Sequence, residues 1–586
     1  MELWRANLHV PFVYDNNDSL YEFMTVKALL ENGWILTNPN LAAPFGQESY
    51  DFPAHSGDSL SLLIVKALGI FSGDFALVTN VFFLLCFPLI AVVSYFVLRR
   101  LGISEWVAVV ISVLFTVLPA RFDNGEEHLF LGAYYAVPVG CYLVLRQLQG
   151  RELFKRNRRY KGPRGYLTLR SAAILAACAA IASTGNYYAL FTAGMMAMGA
   201  VLAFLSSRRL RPLISGLAAV AAILAVVALN GLPTFIYVLE HGRDTAVAER
   251  APADTDYYGL VLTQLVLPVK DHRIPAFAHV TERYLATAPV PVYGENTANA
   301  LGIASVIGLL YLAVALVACC VRGARGSPDR LAVSTALGAG MAFLIGTVGG
   351  LDTLFAYVVD PQLRAPDRIA VFVGFFALLG LAIALERMRE RLSGGRRPRI
   401  GFAMLLICVL TIGALDQTTK ENIPTYRAND AVYTSDTNFV RAIERQVPQH
   451  AAIFQLPIVG FPESPVGWEQ FIPYLHSSQL RWSFGAMTGR SSDWEAALAG
   501  ASLGRLLPAI SAAGFSGVYF NPREFSDGGA GEVSALSHEL GVAPLVSVDR
   551  HLYFFNMAGY NQRLRQLLGP ARIASLAQAT LHPFGG

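Results

Sequence analysis

Charge is what this chain has least of. Only 15% of its 586 residues are Asp, Glu, Lys or Arg, against roughly a quarter in soluble proteins, and long runs hold none at all. That excludes a soluble enzyme and implies a polytopic membrane protein. Cysteine is as scarce: Cys86, Cys141, Cys178, Cys319, Cys320 and Cys408 all fall in apolar runs. No disulfide framework and no CxxC or Cys/His metal pattern follows from them. Charges are also missing from the middle of the apolar runs, where an ion-coupled transporter would keep them despite a cost of roughly 2.5 to 3.5 kcal/mol. No clear inverted repeat is visible, and nothing suggests a nucleic-acid partner.

What is present is a set of apolar runs long enough to span, which takes about 20 residues or as few as roughly 17. Phe75 to Leu98, Leu213 to Leu239, Asn296 to Val321 and Leu331 to Leu351 qualify outright. Trp106 to Ala120, Leu129 to Leu145, Ile369 to Leu385 and Ile400 to Leu415 qualify if flanking Arg and Glu side chains snorkel. Ser171 to Ser207 holds two spans, with Ser183-Thr184-Gly185-Asn186 as the turn. Threading these ten spans sorts the loops by charge. One set is basic, with nine Lys or Arg in 146–170 alone; the other (121–128, 184–187, 240–295 and 352–368) holds eight basic residues against fourteen acids. The basic set is cytoplasmic by the positive-inside rule. The opening loop and everything from Asp416 onward are therefore expected outside. This topology calls for one helix upstream of Met1, eleven in all, unless the N-terminal segment inserts unaided.

Three regions follow: an exterior first loop (1–74), a transmembrane domain (75–415) and a C-terminal periplasmic α/β domain (416–586). In the first, the amphipathic segments Ser19 to Asn32 and Asp58 to Phe71 are expected to lie in the membrane interface. In the third, Ala451 to Ile458, Gly517 to Phe520, Leu545 to Val548 and Leu552 to Phe555 read as strands. Asp436 to Val447, Trp494 to Ala512 and Gly531 to Leu540 have helical spacing, and Gln578 to Gly586 reads as a loose tail.

The chemistry gathers at exterior loop ends. Asp15 and Asp18 form one acidic cluster and Asp123-Asn124-Gly125-Glu126-Glu127-His128 another, with Arg121 beside it. Such carboxylates suit a reaction on a lipid-borne substrate, where one deprotonates an incoming hydroxyl and arginines neutralise a phosphate. Arg364 and Arg368, fixed just before a span, are the leading candidates for that; Arg250, Lys270, Arg273 and Arg283 share their side. Interfacial anchoring explains any one of these equally. A divalent ion at Glu126, Glu127 and His128 is possible, but adjacent residues make poor joint ligands, so no cofactor is expected. Asp51 and His55 are expected to shape the opening loop. The aromatic-rich stretch from Tyr474 to Arg490, with His476, Arg481 and Trp482, either grips a sugar or docks on the membrane region by its aromatics.

This layout resembles the GT-C superfamily of membrane glycosyltransferases: Tyr14-Asp15-Asn16-Asn17-Asp18 in a first exterior loop, two amphipathic segments after it, a second acidic site at Asp123 to His128, and a C-terminal exterior domain. Phe454-Gln455-Leu456-Pro457 and Leu480 to Arg490 look like an uncharacterised bacterial branch of such proteins. The resemblance implies a GT-C-like helical fold, a polyprenyl-phosphate sugar donor, inversion at the anomeric carbon, and Asp15 or else Asp18 as base. It implies Glu126 or Glu127 orienting a substrate, and a glycan or lipid acceptor at the outer face of a bacterial inner membrane. The alternatives are a non-catalytic translocase or assembly factor for lipid-linked saccharides, and a scaffold that recruits glycan enzymes.

Overall fold

The computed structural model describes residues 1–586 apart from 15–17, 158–161, 289–298, 323–328, 393–395, 464–466, 526–527, 550 and 584–586. Helix α1 (Ser19–Asn32) leads into an antiparallel ribbon, β1 (Thr37–Asn38) with β2 (Gln47–Glu48), and then α2 (Ser59–Gly69). The bundle begins with α3 (Phe75–Arg100), α4 (Glu105–Thr116), α5 (Pro119–Asn124), α6 (Val137–Leu148), α7 (Leu169–Ala182), α8 (Asn186–Ser207), α9 (Leu210–Asn230) and α10 (Leu232–His241). Short helices α11 (Asp254–Tyr257), α12 (Leu262–Val266) and α13 (Pro275–Thr287) come next. The bundle ends with α14 (Ile303–Arg322), α15 (Arg330–Gly346), α16 (Leu351–Val358), α17 (Ala370–Arg391) and α18 (Arg396–Gln417).

A helix stands at each of the ten expected places: α3, α4, α6 to α9, α14, α15, α17 and α18. Among the described residues six are long and apolar enough to cross a membrane; α4, α6, α7 and α15 are shorter, at 12, 12, 14 and 17 residues. Proline and glycine set the shorter limits. α4 stops ahead of Pro119, α6 starts with Pro138 in its first turn, and the expected 213–239 span breaks at Gly231 with Pro233 opening α10. Side-chain caps start others: Asp74 accepts from the amides of Ala76 and Leu77 at the head of α3, and Asp329 from Leu331 and Ala332 at the head of α15. α17 is the axis of the bundle, 89% of its most apolar stretch being buried against 17% for α18. Gly308 of α14 lies against the α17 backbone at Ala377, leaving no room for a Cβ. Outward-facing residues are apolar, among them Phe96, Ile214, Val314 and Ile407, as a lipid environment requires. The protein is a multi-pass membrane protein.

The C-terminal region is α/β, as expected. Helix α19 (Tyr426–Glu444) precedes β3 (Ala452–Leu456), α20 (Ile472–Leu475), β4 (Arg481–Trp482), α21 (Leu503–Ala512), β5 (Phe515–Phe520), α22 (Ala530–Leu540), β6 (Leu545–Val546), β7 (Tyr553–Asn556) and α23 (Ala558–Leu581). The sheet order is β4-β3-β5-β7-β6; β3 runs parallel to β4 and β5, and β7 antiparallel to β5 and β6. All four expected strands are present. The expected helix from Trp494 splits into a 3-10 turn (Trp494–Leu498) and α21. Residues 578–581, expected to be loose, instead form the last turn of α23.

Two other differences concern the first loop. α1 does not lie at an interface, because Leu20, Phe23, Met24, Val26, Ala28 and Leu29 are all buried. Its polar residues Ser19, Glu22, Thr25 and Lys27 are buried with them, so α1 is enclosed rather than lying in the interface, held between α3 and the C-terminal region in one continuous core. α2 keeps the interfacial character, with Leu63 exposed along it and Ile70 and Phe71 exposed just beyond its end. Second, residues 40–43 pair with the edge strand β4. The Trp482 amide donates to Asn40 O, and the Ala43 and Ala42 amides donate to Trp482 O and Phe484 O, each at 2.9 Å. The first loop and C-terminal region therefore lie on one side of the bundle, as an even number of spans demands.

Candidate active site

The segment entering the first acidic cluster is fixed from three directions. Asn80 of α3 donates to Leu8 O and Val10 O (2.9 and 2.8 Å), Asn429 of α19 donates to Phe12 O (2.7 Å), and the Glu126 carboxylate accepts from the Val13 amide (3.1 Å). Tyr14 then donates to Asp436 (2.9 Å) and meets His476 Nε2 at 2.8 Å. Residues 15–17, Asp15 among them, lie outside the described residues. Asp18 resumes the chain at the head of α1, its side chain about half exposed (54%) and 3.7 Å from His128 Nδ1.

Asp18 and His128 open onto a cavity of about 1120 Å³. Every loop of the acid-rich set contributes to its wall: the 128–131 turn, the start of α8 at Gly185 to Tyr188, the segment after α10 with Arg243 and Arg250, and residues 355–368 with Arg364 and Arg368. The first loop adds Asp18 and residues 51–58, and the C-terminal region adds Glu463 and Trp468. Arg368 stacks over Tyr187 (4.6 Å to the ring centre) and Arg364 over Tyr258 (5.3 Å). Arg364 has no ion pair among the described residues, whereas Arg250 is paired with Glu463 at 2.5 Å. Arg490 ties the rim together: it grips Asp51 at 2.8 and 2.5 Å and donates to His241 O and Gly242 O.

Behind Asp18, one helical turn on, is a group that sequence reasoning missed. Glu22 is buried, with its Oε2 3.6 Å from His55 Nε2, while His55 Nδ1 bonds Asp58 at 3.3 Å. Among the described residues, neither Glu22 Oε2 nor His55 Nε2 has a hydrogen-bond partner. Burial pushes the Glu22 carboxyl up to about 8. Burial alone would lower the His55 imidazole, but Glu22 and Asp58 outweigh it and hold it above its usual value. The available signal was the four-residue step from Asp18 to Glu22, which puts both carboxylates on one helix face.

The second acidic cluster divides. Only His128 reaches the large cavity. Glu126, pushed up to about 8 by burial despite its bonds from the Val13 and Phe12 amides, faces a separate cavity of about 350 Å³ with Asp123 and Lys270. It braces the first loop rather than meeting the large cavity. Half-buried Glu127 lines neither. Arg121 is also a correction: it is fully buried between Phe83 and Phe87 (4.1 and 4.8 Å) and donates to Phe83 O at 2.5 Å. Its place on α5 turns it into the bundle, away from the cavity. Arg273 is spent on Thr418 O.

The aromatic-rich stretch is not a sugar platform. Trp482 is wholly buried, edge-on to Tyr519 at 5.9 Å, because β4 is sandwiched between β3 and the first loop. His476 is enclosed between Tyr14 and Thr437, and burial lowers it to about 3, so it stays neutral. Arg481 donates to His450 O. These residues dock the domain. Among the described residues, no group of three or more His, Cys, Asp or Glu side chains is placed to hold a metal ion.

No family model matches the chain, and no curated protein matches it. Among solved structures it is similar to the archaeal oligosaccharyltransferase AglB from Archaeoglobus fulgidus, in complex with an inhibitory peptide and a dolichol-phosphate (12% identity, 89% of this chain and 68% of that one, TM-score 0.41). It is similar to ArnT from Cupriavidus metallidurans bound to undecaprenyl phosphate (10% identity, 94% and 95%, TM-score 0.45). A third is the arabinofuranosyltransferase AftD from Mycobacteria (17% identity, 88% and 33%, TM-score 0.44), of whose length this chain spans about a third. Every one of these TM-scores is below 0.5, and the likeness carries no argument about this chain.

Proposed function

We propose that this chain is a GT-C-type glycosyltransferase of a bacterial inner membrane, moving a sugar from a polyprenyl-phosphate carrier to a periplasmic or cell-surface glycan or lipid acceptor. One observation carries the reading: a single large cavity gathers a first-loop carboxylate, Asp18, with Arg364 and Arg368 at the ends of the membrane helices. Asp15 or Asp18 takes the proton of the acceptor hydroxyl while its oxygen attacks the anomeric carbon. The bond from that carbon to the phosphate oxygen breaks, its electron pair leaves with the phosphate, and the configuration inverts. Arg364 and Arg368 receive the developing phosphate charge, which a guanidinium fork does better than an ammonium point charge. Tyr187 and Tyr258 hold the two guanidinium planes by stacking.

The test is sugar transfer by purified protein from an extract of lipid-linked sugars, comparing wild type with Asp15→Asn, Asp18→Asn and the Arg364→Gln/Arg368→Gln pair. Loss of general-base help costs about 10² to 10⁴ in rate, so one first-loop substitution abolishes measurable transfer in a folded protein. Undiminished transfer by both Asp variants removes the base assignment. Intact lipid binding with no transfer by wild type removes the enzymatic reading.

A further inference from the structure

The far end of the bundle holds another cavity, of about 970 Å³, between α6, α8, α9 and α15. Its rim carries Arg208, Arg209, Arg211 and Arg330, and none of the four has an ion pair among the described residues. The two large cavities share a helix. α8 starts at Asn186 in the wall of the first and ends at Ser207 in the wall of the second, 22 residues on. At 1.5 Å per residue that is roughly 33 Å, about the thickness of a bilayer's hydrocarbon core. The basic cavity thus sits at the opposite membrane interface from Asp18.

Its surroundings are apolar on the lipid side. Leu202 and Leu205 of α8, Leu210 and Ile214 of α9 and Leu337 of α15 are all exposed next to the arginines. A basic pocket between helices at this interface, continuous with bare apolar helix faces, has the chemistry of a phospholipid site. Guanidinium groups meet phosphate oxygens in a fork, and the helix faces take the acyl chains. A soluble anion would use the first feature and leave the second uncovered.

We propose that this cavity binds the phosphate of an anionic phospholipid headgroup, with the acyl chains lying along α8 and α9. The site is separate from the one that would hold a lipid-linked sugar, so its test does not depend on the transferase reading. Full-length protein in detergent micelles is titrated with cardiolipin, with phosphatidylcholine and with inorganic phosphate, and bound ligand is read by native mass spectrometry. Cardiolipin is retained and phosphatidylcholine is not. Each guanidinium removed weakens binding roughly fivefold, so the Arg209→Gln/Arg211→Gln/Arg330→Gln variant loses cardiolipin about 100-fold. Arg100→Gln, an exposed arginine outside the cavity, leaves retention unchanged. Equal retention of phosphatidylcholine, no effect of the triple substitution, or inorganic phosphate displacing cardiolipin at matched concentration would each overturn the proposal.

Discussion

Substituting Arg490 tests whether the cavity rim is held by one clamp. Its side chain is 16% exposed and that of Asp51 only 4%, so Arg490→Met leaves a buried carboxylate with no counter-charge. Removing one partner of such a pair costs about 3 to 5 kcal/mol. The guanidinium also satisfies the carbonyls of His241 and Gly242 at the end of α10, which adds about 1 kcal/mol for each bond lost. The effect is not additive with loss of Asp51. Once Asp51→Asn has removed the charge, Arg490→Met has less to strand, so the double variant is more stable than the single Arg490→Met protein. A denaturant-midpoint cycle in micelles, with protease cleavage of the 242–256 segment as a local probe, measures this coupling. Simple additivity of the two singles, or cleavage unchanged in Arg490→Met, would refute the clamp.

Other expectations follow from the same geometry. Glu22 has a folded-state pKa near 8 against 4.5 for an ordinary glutamate. The folded protein therefore holds the extra proton between those values, and stability falls as pH rises through that window. In Glu22→Gln that decline is absent, which melting curves from pH 4 to 9 of both proteins resolve. Trp482→Ala costs about 3 to 5 kcal/mol as a cavity mutation, while Trp482→Phe, if folded, leaves KM for the sugar donor unchanged; a raised KM would restore the sugar-platform reading. Arg364→Ala alters unfolding by less than about 0.5 kcal/mol yet raises KM for an anionic donor at least tenfold. Assays at low and high salt would show the wild-type advantage shrinking with ionic strength.

The bundle was legible because lipid imposes one rule on every span: absence of charge. That rule found ten helices and sorted their loops, and the loops it grouped as acid-rich do line one cavity. Its resolution was limited by Pro119, Pro138 and Gly231, which cut helices where hydropathy alone runs on. The site was half legible. Asp18, His128, Arg364 and Arg368 were visible as charges fixed at helix ends. Glu22 and His55 were not grouped, because 33 residues of chain separate two side chains that meet only once α1 is packed. Arg121, Glu126, His476 and Trp482 were misjudged for a common reason. Polar and aromatic residues near a membrane surface look accessible in sequence, and only the tertiary structure shows what encloses them: Phe83 and Phe87 of α3 around Arg121, the first loop against Glu126, and the packing of the C-terminal region around His476 and Trp482.

The pairing of residues 40–43 with β4 also sets a timetable. Gln47 waits for Gly485, 438 residues later in the chain, and at about 5 to 20 residues per second synthesis takes roughly 20 to 90 s to deliver it. During that interval α1 has α2 and α3 to pack against, but the face that the C-terminal region later covers stands open. The sheet in turn emerges with β4 as a bare edge, the kind of edge other chains pair with. Each half shields the other, so neither the first loop nor the C-terminal region is a self-sufficient module. Separating them exposes an unpaired strand edge on one fragment and, on the other, the face of α1 that the C-terminal region covers.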